Sequence, residues 1–358
     1  MSRFHSLPVS RVQQETPDAV SVTLDVPAEL KHAFVFQPGQ YLTLRLMIDG
    51  QPINRSYSFC SSPATGEGLT IGVKRVPGGK VSTYIHDQLK AGMTLDVMEP
   101  MGNFHIPLGQ TAARQFVLIG GGSGITPLLS ILKSVLTLEP NAKITLFYGN
   151  RNRDSVMFYN QLQELSATSG GRLQLVHVWD DGQTAVKGPM DAATIARLLA
   201  DLSFPLADAE YFICGPSPMM KAAEQTLLGH SVSAAKIHIE YFTAKDDADK
   251  QAADVGVSVA DEPPFTGIAQ VTLIFDGQEK QLQVSEKETI LNAALDKGYD
   301  PPYSCMVAAC CTCRAKLIQG KVEMDDRESL TDAEIAKGYV LTCQAHPKSA
   351  AITLNFDL

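Results

Sequence analysis

Three features that would assign this chain to other classes are missing or scarce. No apolar run approaches the ~20 residues that a helix needs to cross a bilayer. The first residues, MSRFHSLPVSRVQQE, hold no apolar stretch of the secretory-signal kind, so a cytoplasmic location is expected. Positive charge is in deficit: 30 Lys and Arg stand against 39 Asp and Glu, a net charge of −9. Nucleic acid and anionic membrane surfaces are therefore poor partners, whereas an acidic carrier seeking a basic docking face fits. Cysteine is too sparse for a disulfide framework. There are seven, an odd number, and five of them crowd between Cys305 and Cys343, which points to a metal site. What is present, 44% hydrophobic and 19% charged residues, is the composition of ordinary buried cores in two or three domains.

Short alternating runs fill the first hundred residues (AVSVTLDV, QYLTLRLMI, LTIGVKRV), broken by turns at Pro38-Gly39 and Pro77-Gly78-Gly79. They predict an antiparallel β-barrel over 1–108. Over 109–243, apolar strands alternate with helical stretches: RQFVLIG, PLLSILKSVL, KITLFYG, RLQLVHVW, YFIC and KIHIEYF. That alternation predicts an α/β doubly wound parallel sheet. Residues 244–266, rich in Ala and Asp with paired prolines, read as a linker. A third domain, 267–358, opens with a hairpin turning at Asp276-Gly277. Ser285 and Glu288 then form a capping box ahead of the helix TILNAALDK, which Gly298 ends. No internal repeat or low-complexity tract disturbs this plan.

The strongest chemical signal is Cys305-x4-Cys310-x2-Cys313 with a distant Cys343, the spacing of plant-type [2Fe–2S] ligation. A zinc site would more often show two C-x2-C knuckles, and a set of buried free thiols would need no spacing. Cys311 leaves only a one-residue gap to Cys313, so Cys310 is the expected ligand. Arg55-Ser56-Tyr57-Ser58 offers a guanidinium for pyrophosphate, a ring for a flavin to pack on and hydroxyls for its polar edge. Gly78-Gly79-Lys80-Val81-Ser82 opens a helix whose N–H groups, with the Ser82 hydroxyl, suit the same pyrophosphate. Gly120-Gly121-Gly122-Ser123-Gly124-Ile125-Thr126-Pro127 follows a strand and starts a helix with Pro127 at its first position, a diphosphate cradle. Cys214-Gly215-Pro216 ends a further strand at the edge of the sheet where ligands bind. Cys60, His86 and His105 have no partner spacing and read as structural.

Together FQPGQYLTL, RSYS, GGKVS, GGGSGITP, YFICGPSPMM, EYF and the cysteine segment resemble the ferredoxin–NADP reductase superfamily with a C-terminal ferredoxin fused on. The resemblance covers nearly the whole chain. Within the superfamily, the domain order, YGNR and GYVLTCQ are similar to reductases of phenylacetyl-CoA epoxidase complexes. It implies a β-grasp-like α+β ferredoxin domain, with Arg55, Ser56, Tyr57 and Ser58 at the flavin and Gly79, Lys80, Val81 and Ser82 at its phosphates. Gly122, Ser123, Gly124 and Thr126 face NADPH, while Cys214 with Gly215 and Pro216 lies by the nicotinamide. Glu240 and Phe242 close the nucleotide lobe against the flavin, and Cys214, Ser58 and Glu240 are the residues nearest the chemistry. Asn150, Arg151 and Arg153 follow the strand KITLFYG where an adenosine ribose sits, and the two cations favour a 2′-phosphate, hence NADPH over NADH.

The implied reaction passes a hydride from NADPH to FAD, or to FMN, which some reductases of this order use. Single electrons then move through the cluster to an oxygenase. By resemblance the acceptor is a di-iron oxygenase acting on phenylacetyl-CoA, although the same domain order serves Rieske oxygenases, steroid hydroxylases and desaturases. In the cluster loop, Met306-Val307-Ala308-Ala309 stands where relatives carry a basic residue followed by glycine. A left-handed backbone at Val307 would cost ~1–2 kcal/mol or shift the loop. An alternative follows: a ferredoxin domain free of cluster, serving as the docking module of a plain flavin reductase.

Overall fold

In the computed structural model, residues 4–184, 186–242, 252–257, 265 and 267–358 are described. The alternating runs of the N-terminal region form β1 (Phe4–Thr16), β2 (Ala19–Leu24), β3 (Tyr41–Ile48), β4 (Gln51–Ser58), β5 (Leu69–Lys74) and β6 (Thr94–Met98). Their order is β4-β3-β6-β1-β2-β5. A bridge from Phe59 to Ile71 joins the end of β4 to β5, the two edges of that order, and closes the sheet into the expected barrel. Leu7, Val22, Leu44, Ile71 and Val97 fill it, each fully buried. After Gly78, in the left-handed region at φ +73°, α1 (Lys80–Asp87) sets Val81 and Ile85 against the same core.

The second layer system runs β7 (Gln115–Gly121), α2 (Ile125–Leu138), β8 (Lys143–Asn150), α3 (Tyr159–Thr168), β9 (Leu173–Trp179), β10 (Val186–Lys187), α4 (Ala192–Ala200), β11 (Ala209–Cys214), α5 (Ser217–Gly229) and β12 (Ile237–Glu240). The strands are all parallel in the order β10-β9-β8-β7-β11-β12. β7 is sandwiched between β8 and β11, which is why Phe116-Val117-Leu118-Ile119 is apolar without alternation. The strand order reverses at β7, so the carboxyl ends of β7, β8 and β11 frame the crevice of a doubly wound sheet. Pro127 is the third residue of α2 and not its first, because Gly122–Gly124 forms a separate 3-10 turn ahead of the helix.

Polar contacts fasten α2 to the barrel. Ser130 Oγ donates to Ser61 O at 2.6 Å, and the buried Lys133 ammonium donates to Cys60 O at 3.0 Å and pairs with Glu67 at 2.7 Å. The Cys60 thiol, pushed up to about 12 by burial, lies in this seam as a neutral packing group. At the head of α2 the approach is so close that a Cβ on Gly72 of β5 would lie 2.3 Å from the Thr126 methyl. Residues 6–53 and 57–240 form one compact body, and 241–358 belong to a second.

The second body has β13 (Ala253–Val257), β14 (Ile268–Phe275), β15 (Gln278–Ser285), α6 (Ile290–Asp296), β16 (Arg314–Met324), α7 (Asp332–Ala336), β17 (Tyr339–Leu341), β18 (Ala345–Pro347) and β19 (Ala351–Asn355). The sheet order is β13-β16-β19-β14-β15, with β17 and β18 pairing β16. β14 and β15 turn at Asp276 (φ 53°) and Gly277 (φ 68°), as the Asp-Gly signal requires. Ile290, Leu291 and Ala294 of α6 pack on Val271, Leu273, Leu317 and Leu354, giving the α+β plan. Two expectations are corrected. The span read as a linker contains β13, which pairs with β16 because Val255 buries into that core; most of the remaining span lies outside the described residues. The cap of α6 is Thr289, whose side chain accepts from Asn292 N–H, while Ser285 closes the preceding turn with Glu288.

Candidate functional site

At the end of β4 Ser58 is buried, Tyr57 packs on the rim of the barrel core, Ser56 is half-buried and Arg55 is exposed. The Arg55 guanidinium donates to Asn54 O at 2.7 Å. α1 begins at Gly79 with no side-chain cap, which leaves its first N–H groups for a phosphate. Two side chains of this segment are otherwise engaged. Ser82 Oγ accepts from Val76 N–H at 3.1 Å and so ties the glycine turn, and Lys80 pairs with Asp49 at 2.8 Å on the surface. The backbone of the segment, not these side chains, fits a flavin diphosphate.

A cleft of about 420 Å³ opens at the carboxyl edge of the parallel sheet, lined by Gly121, Gly122, Asn150, Arg151 and Pro216 together with Lys74, Ser155, Asp180, Asp191 and Met219. Gly122 takes φ +53°, a conformation that glycine adopts without strain, and its carbonyl accepts from the Tyr148 hydroxyl at 2.9 Å. Gly124 sits so close to β11 that a Cβ there would lie 2.0 Å from Cys214 O. Both polar atoms of the Asn150 carboxamide are buried without a well-aligned hydrogen-bond partner, since the Tyr148 hydroxyl beside it donates instead to Gly122 O. An orphaned amide beside a glycine turn fits a nucleotide that brings hydroxyls and phosphates.

Other expected members of the site fall outside this lining. Thr126 is buried, donates to Ser123 O at 3.0 Å and shapes the turn from within. The Arg153 guanidinium stacks on Tyr159, 4.6 Å from the ring centroid, so of the two cations only Arg151 reaches the cleft. Cys214 is wholly buried opposite Gly120 and Glu240, and burial, with Glu240 second, pushes its thiol well above the ordinary range. It is a neutral group beneath the turn and supplies no acid or thiolate. Glu240 ends β12, half-buried, and Phe242 lies exposed two residues on. Lys74 was missed because it comes from the barrel, where no local motif marks it.

In the second body the four predicted thiols assemble in two pairs, Cys305 with Cys310 and Cys313 with Cys343, each pair hydrogen-bonded. Cys310 is lowered to about 6, first by the hydrogen bond from Cys305, and Cys343 is lowered by that from Cys313. Their partners are raised, first by the same bonds and then by burial, and all four thiols must give up their protons to ligate iron. Among the described residues no three His, Cys, Asp or Glu side chains converge as a single-ion site. Two thiol pairs are what the two irons of a [2Fe–2S] cluster require, and this donor set fits that group. Donors already aim at sulfur: Val307 N–H at Cys305 (3.4 Å) and the Gln344 amide at Cys343 (3.5 Å).

The loop meets the backbone demand without Val307. Positive φ falls on its neighbours, Met306 (64°) and Ala308 (57°), so the expected strain is displaced by one residue on each side. Ala308 is fully buried and has no side chain that stabilises a left-handed backbone. Ala308→Gly is therefore expected to stabilise the loaded domain by about 0.5–1 kcal/mol. Bleaching of the cluster during thermal unfolding measures it, and a lower midpoint would contradict this reading of the loop.

Comparison with known proteins agrees with this geometry. Three family models match: an oxidoreductase FAD-binding domain over residues 6–106, an oxidoreductase NAD-binding domain over 118–225 and a 2Fe-2S iron-sulfur cluster binding domain over 273–348. The chain is similar to one subunit of the 1,2-phenylacetyl-CoA epoxidase of Escherichia coli (strain K12), 38% identical over 100% of this chain and 99% of that protein. It is also similar to the ferredoxin reductase component of 3-ketosteroid-9-alpha-monooxygenase of Rhodococcus rhodochrous, 37% identical over 99% and 97%. The solved phthalate dioxygenase reductase superposes with a TM-score of 0.59 over 99% of this chain and 98% of that one, at 23% identity, a likeness of fold.

Proposed function

Since the chain belongs to the ferredoxin–NADP reductase superfamily, among the oxygenase reductases with a fused C-terminal [2Fe–2S] domain, we propose that it carries electrons from NADPH to the di-iron oxygenase of a phenylacetyl-CoA epoxidase complex. It is an NAD(P)H-dependent oxidoreductase with FAD and a [2Fe–2S] cluster. Bound FAD supplies the conversion of a two-electron donor to single electrons, and the cluster carries them one at a time. The chain's part is placement. The glycine turn and Asn150 receive the nucleotide, Arg151 meets its 2′-phosphate, and the uncapped start of α1 holds the flavin phosphates. No side-chain acid or base is needed, which suits the neutral Cys214.

The observation that carries the reading is the presence in one chain of the glycine-walled cleft with its orphaned amide and the paired thiols. The choice of acceptor rests on full-length similarity to the Escherichia coli epoxidase protein. In the cytoplasm, phenylacetate breakdown, a form of aromatic degradation, would use this electron transport. Mixing the reductase with the purified epoxidase oxygenase and, separately, with a 3-ketosteroid monooxygenase tests the acceptor. Substrate-coupled NADPH oxidation is expected with phenylacetyl-CoA and the former alone; coupling to the steroid enzyme instead would overturn the assignment.

A further inference from the structure

We propose that Asp18 is a specificity-determining gate of the nucleotide cleft, a barrel carboxylate holding Lys74 and Arg151 that the phosphates of NADPH displace. The proposal rests on the reading that NADPH occupies this cleft and goes beyond it in naming what the ligand competes with.

Asp18 lies in the turn between β1 and β2, and three contacts fix its direction. Its Oδ1 accepts from Thr16 Oγ1 at 2.7 Å, its backbone N–H lies 3.4 Å from the same oxygen, and its carbonyl accepts from Arg75 N–H at 2.7 Å. The other carboxylate oxygen, Oδ2, faces two cations: Lys74 Nζ at 3.7 Å and Arg151 Nη2 at 3.3 Å. Both cations line the cleft. Lys74, the last residue of β5, reaches over the glycine turn, since a Cβ on Gly122 would lie 3.8 Å from its ammonium. Arg151 directly follows β8 and lines the same cleft.

One carboxylate thus neutralises the lysine over the diphosphate cradle and the arginine at the ribose end. An arriving phosphate must compete for these cations and also approach the Asp18 charge. The side chains of Asp18, Lys74 and Arg151 are 31%, 22% and 70% exposed, so solvent screens both pairs and each is weak enough for a phosphate to exchange with it. NADPH carries a phosphate at the Arg151 end that NADH lacks, so the opposition falls more heavily on NADPH.

Calorimetric titration of the FAD- and cluster-loaded protein with NADP⁺ and with NAD⁺ tests this. Asp18→Asn keeps a side-chain oxygen for Thr16 while removing the charge. It should tighten NADP⁺ binding by about three- to fivefold and NAD⁺ binding by less. Asp18→Ser should act in the same direction, and Lys74→Gln should weaken both nucleotides by about five- to tenfold. Unchanged or weaker NADP⁺ binding in both Asp18 variants, with Lys74→Gln still harmful, would overturn the gate and leave the nucleotide site standing. If Lys74→Gln and Arg151→Ala both leave binding unchanged, the cleft is not the nucleotide site and both conclusions fall.

Discussion

Cys310→Ser is expected to abolish the iron–sulfur centre, and Cys311→Ser to leave it in place. The two thiols are adjacent and both buried, so exposure does not separate them. Their partners do. Cys310 bonds to Cys305 and lies 3.4 Å from the Thr312 hydroxyl, inside the group of four thiols that perturb one another's protonation. Serine there removes one of four thiolates from a centre whose iron is held only by sulfur. Visible absorption and iron content should therefore collapse in Cys310→Ser, together with NADPH-driven reduction of cytochrome c. Reduction of ferricyanide, which needs the flavin alone, should persist because residues 6–53 and 57–240 form a separate body. Cys311→Ser should match the parent protein in all four measurements. The reverse pattern would show that the loop departs from the plant-type arrangement.

Arg151→Ala should cut kcat/KM for NADPH by about tenfold or more and spare NADH. A charge-assisted contact to phosphate is worth ~1.5–3 kcal/mol, and the 70% exposure of this side chain argues for the lower end of that range. Arg153→Ala serves as the contrast. Its guanidinium rests on Tyr159, so the substitution should alter neither cofactor's kinetics by more than about twofold. Equal losses with NADPH and NADH in Arg151→Ala would refute a 2′-phosphate contact there.

How far each feature was legible in the sequence follows from how local its physics is. The Asp276-Gly277 hairpin and the parallel sheet are announced by local patterns, and each stands where the pattern placed it. Features that depend on distant packing did not show. Ala253–Val257 reads as linker by composition and becomes a strand only because β16 offers an edge to it. Lys74 joins the cleft from the end of a barrel strand and Asp18 pairs with it from a barrel turn, both far away in sequence, so no motif around GGGSGITP announces them. Thr126 sits inside the right motif yet faces inward, because Gly72 brings β5 against it. In the cluster loop the need for left-handed backbone was legible, but its position was one residue off on either side, since hydrogen bonds to sulfur and not residue type decide where the chain turns.

The central claim is that one chain takes electrons from NADPH at the sheet edge and holds a two-iron centre on the paired thiols. Anaerobic titration of the purified, loaded protein with NADPH, followed by visible absorption and low-temperature electron paramagnetic resonance, tests it most directly. The flavin bands should bleach, and the rhombic signal of a reduced [2Fe–2S] centre should rise towards one spin per chain. Protein that bleaches its flavin yet never develops that signal, at full iron and sulfide content, would contradict the account.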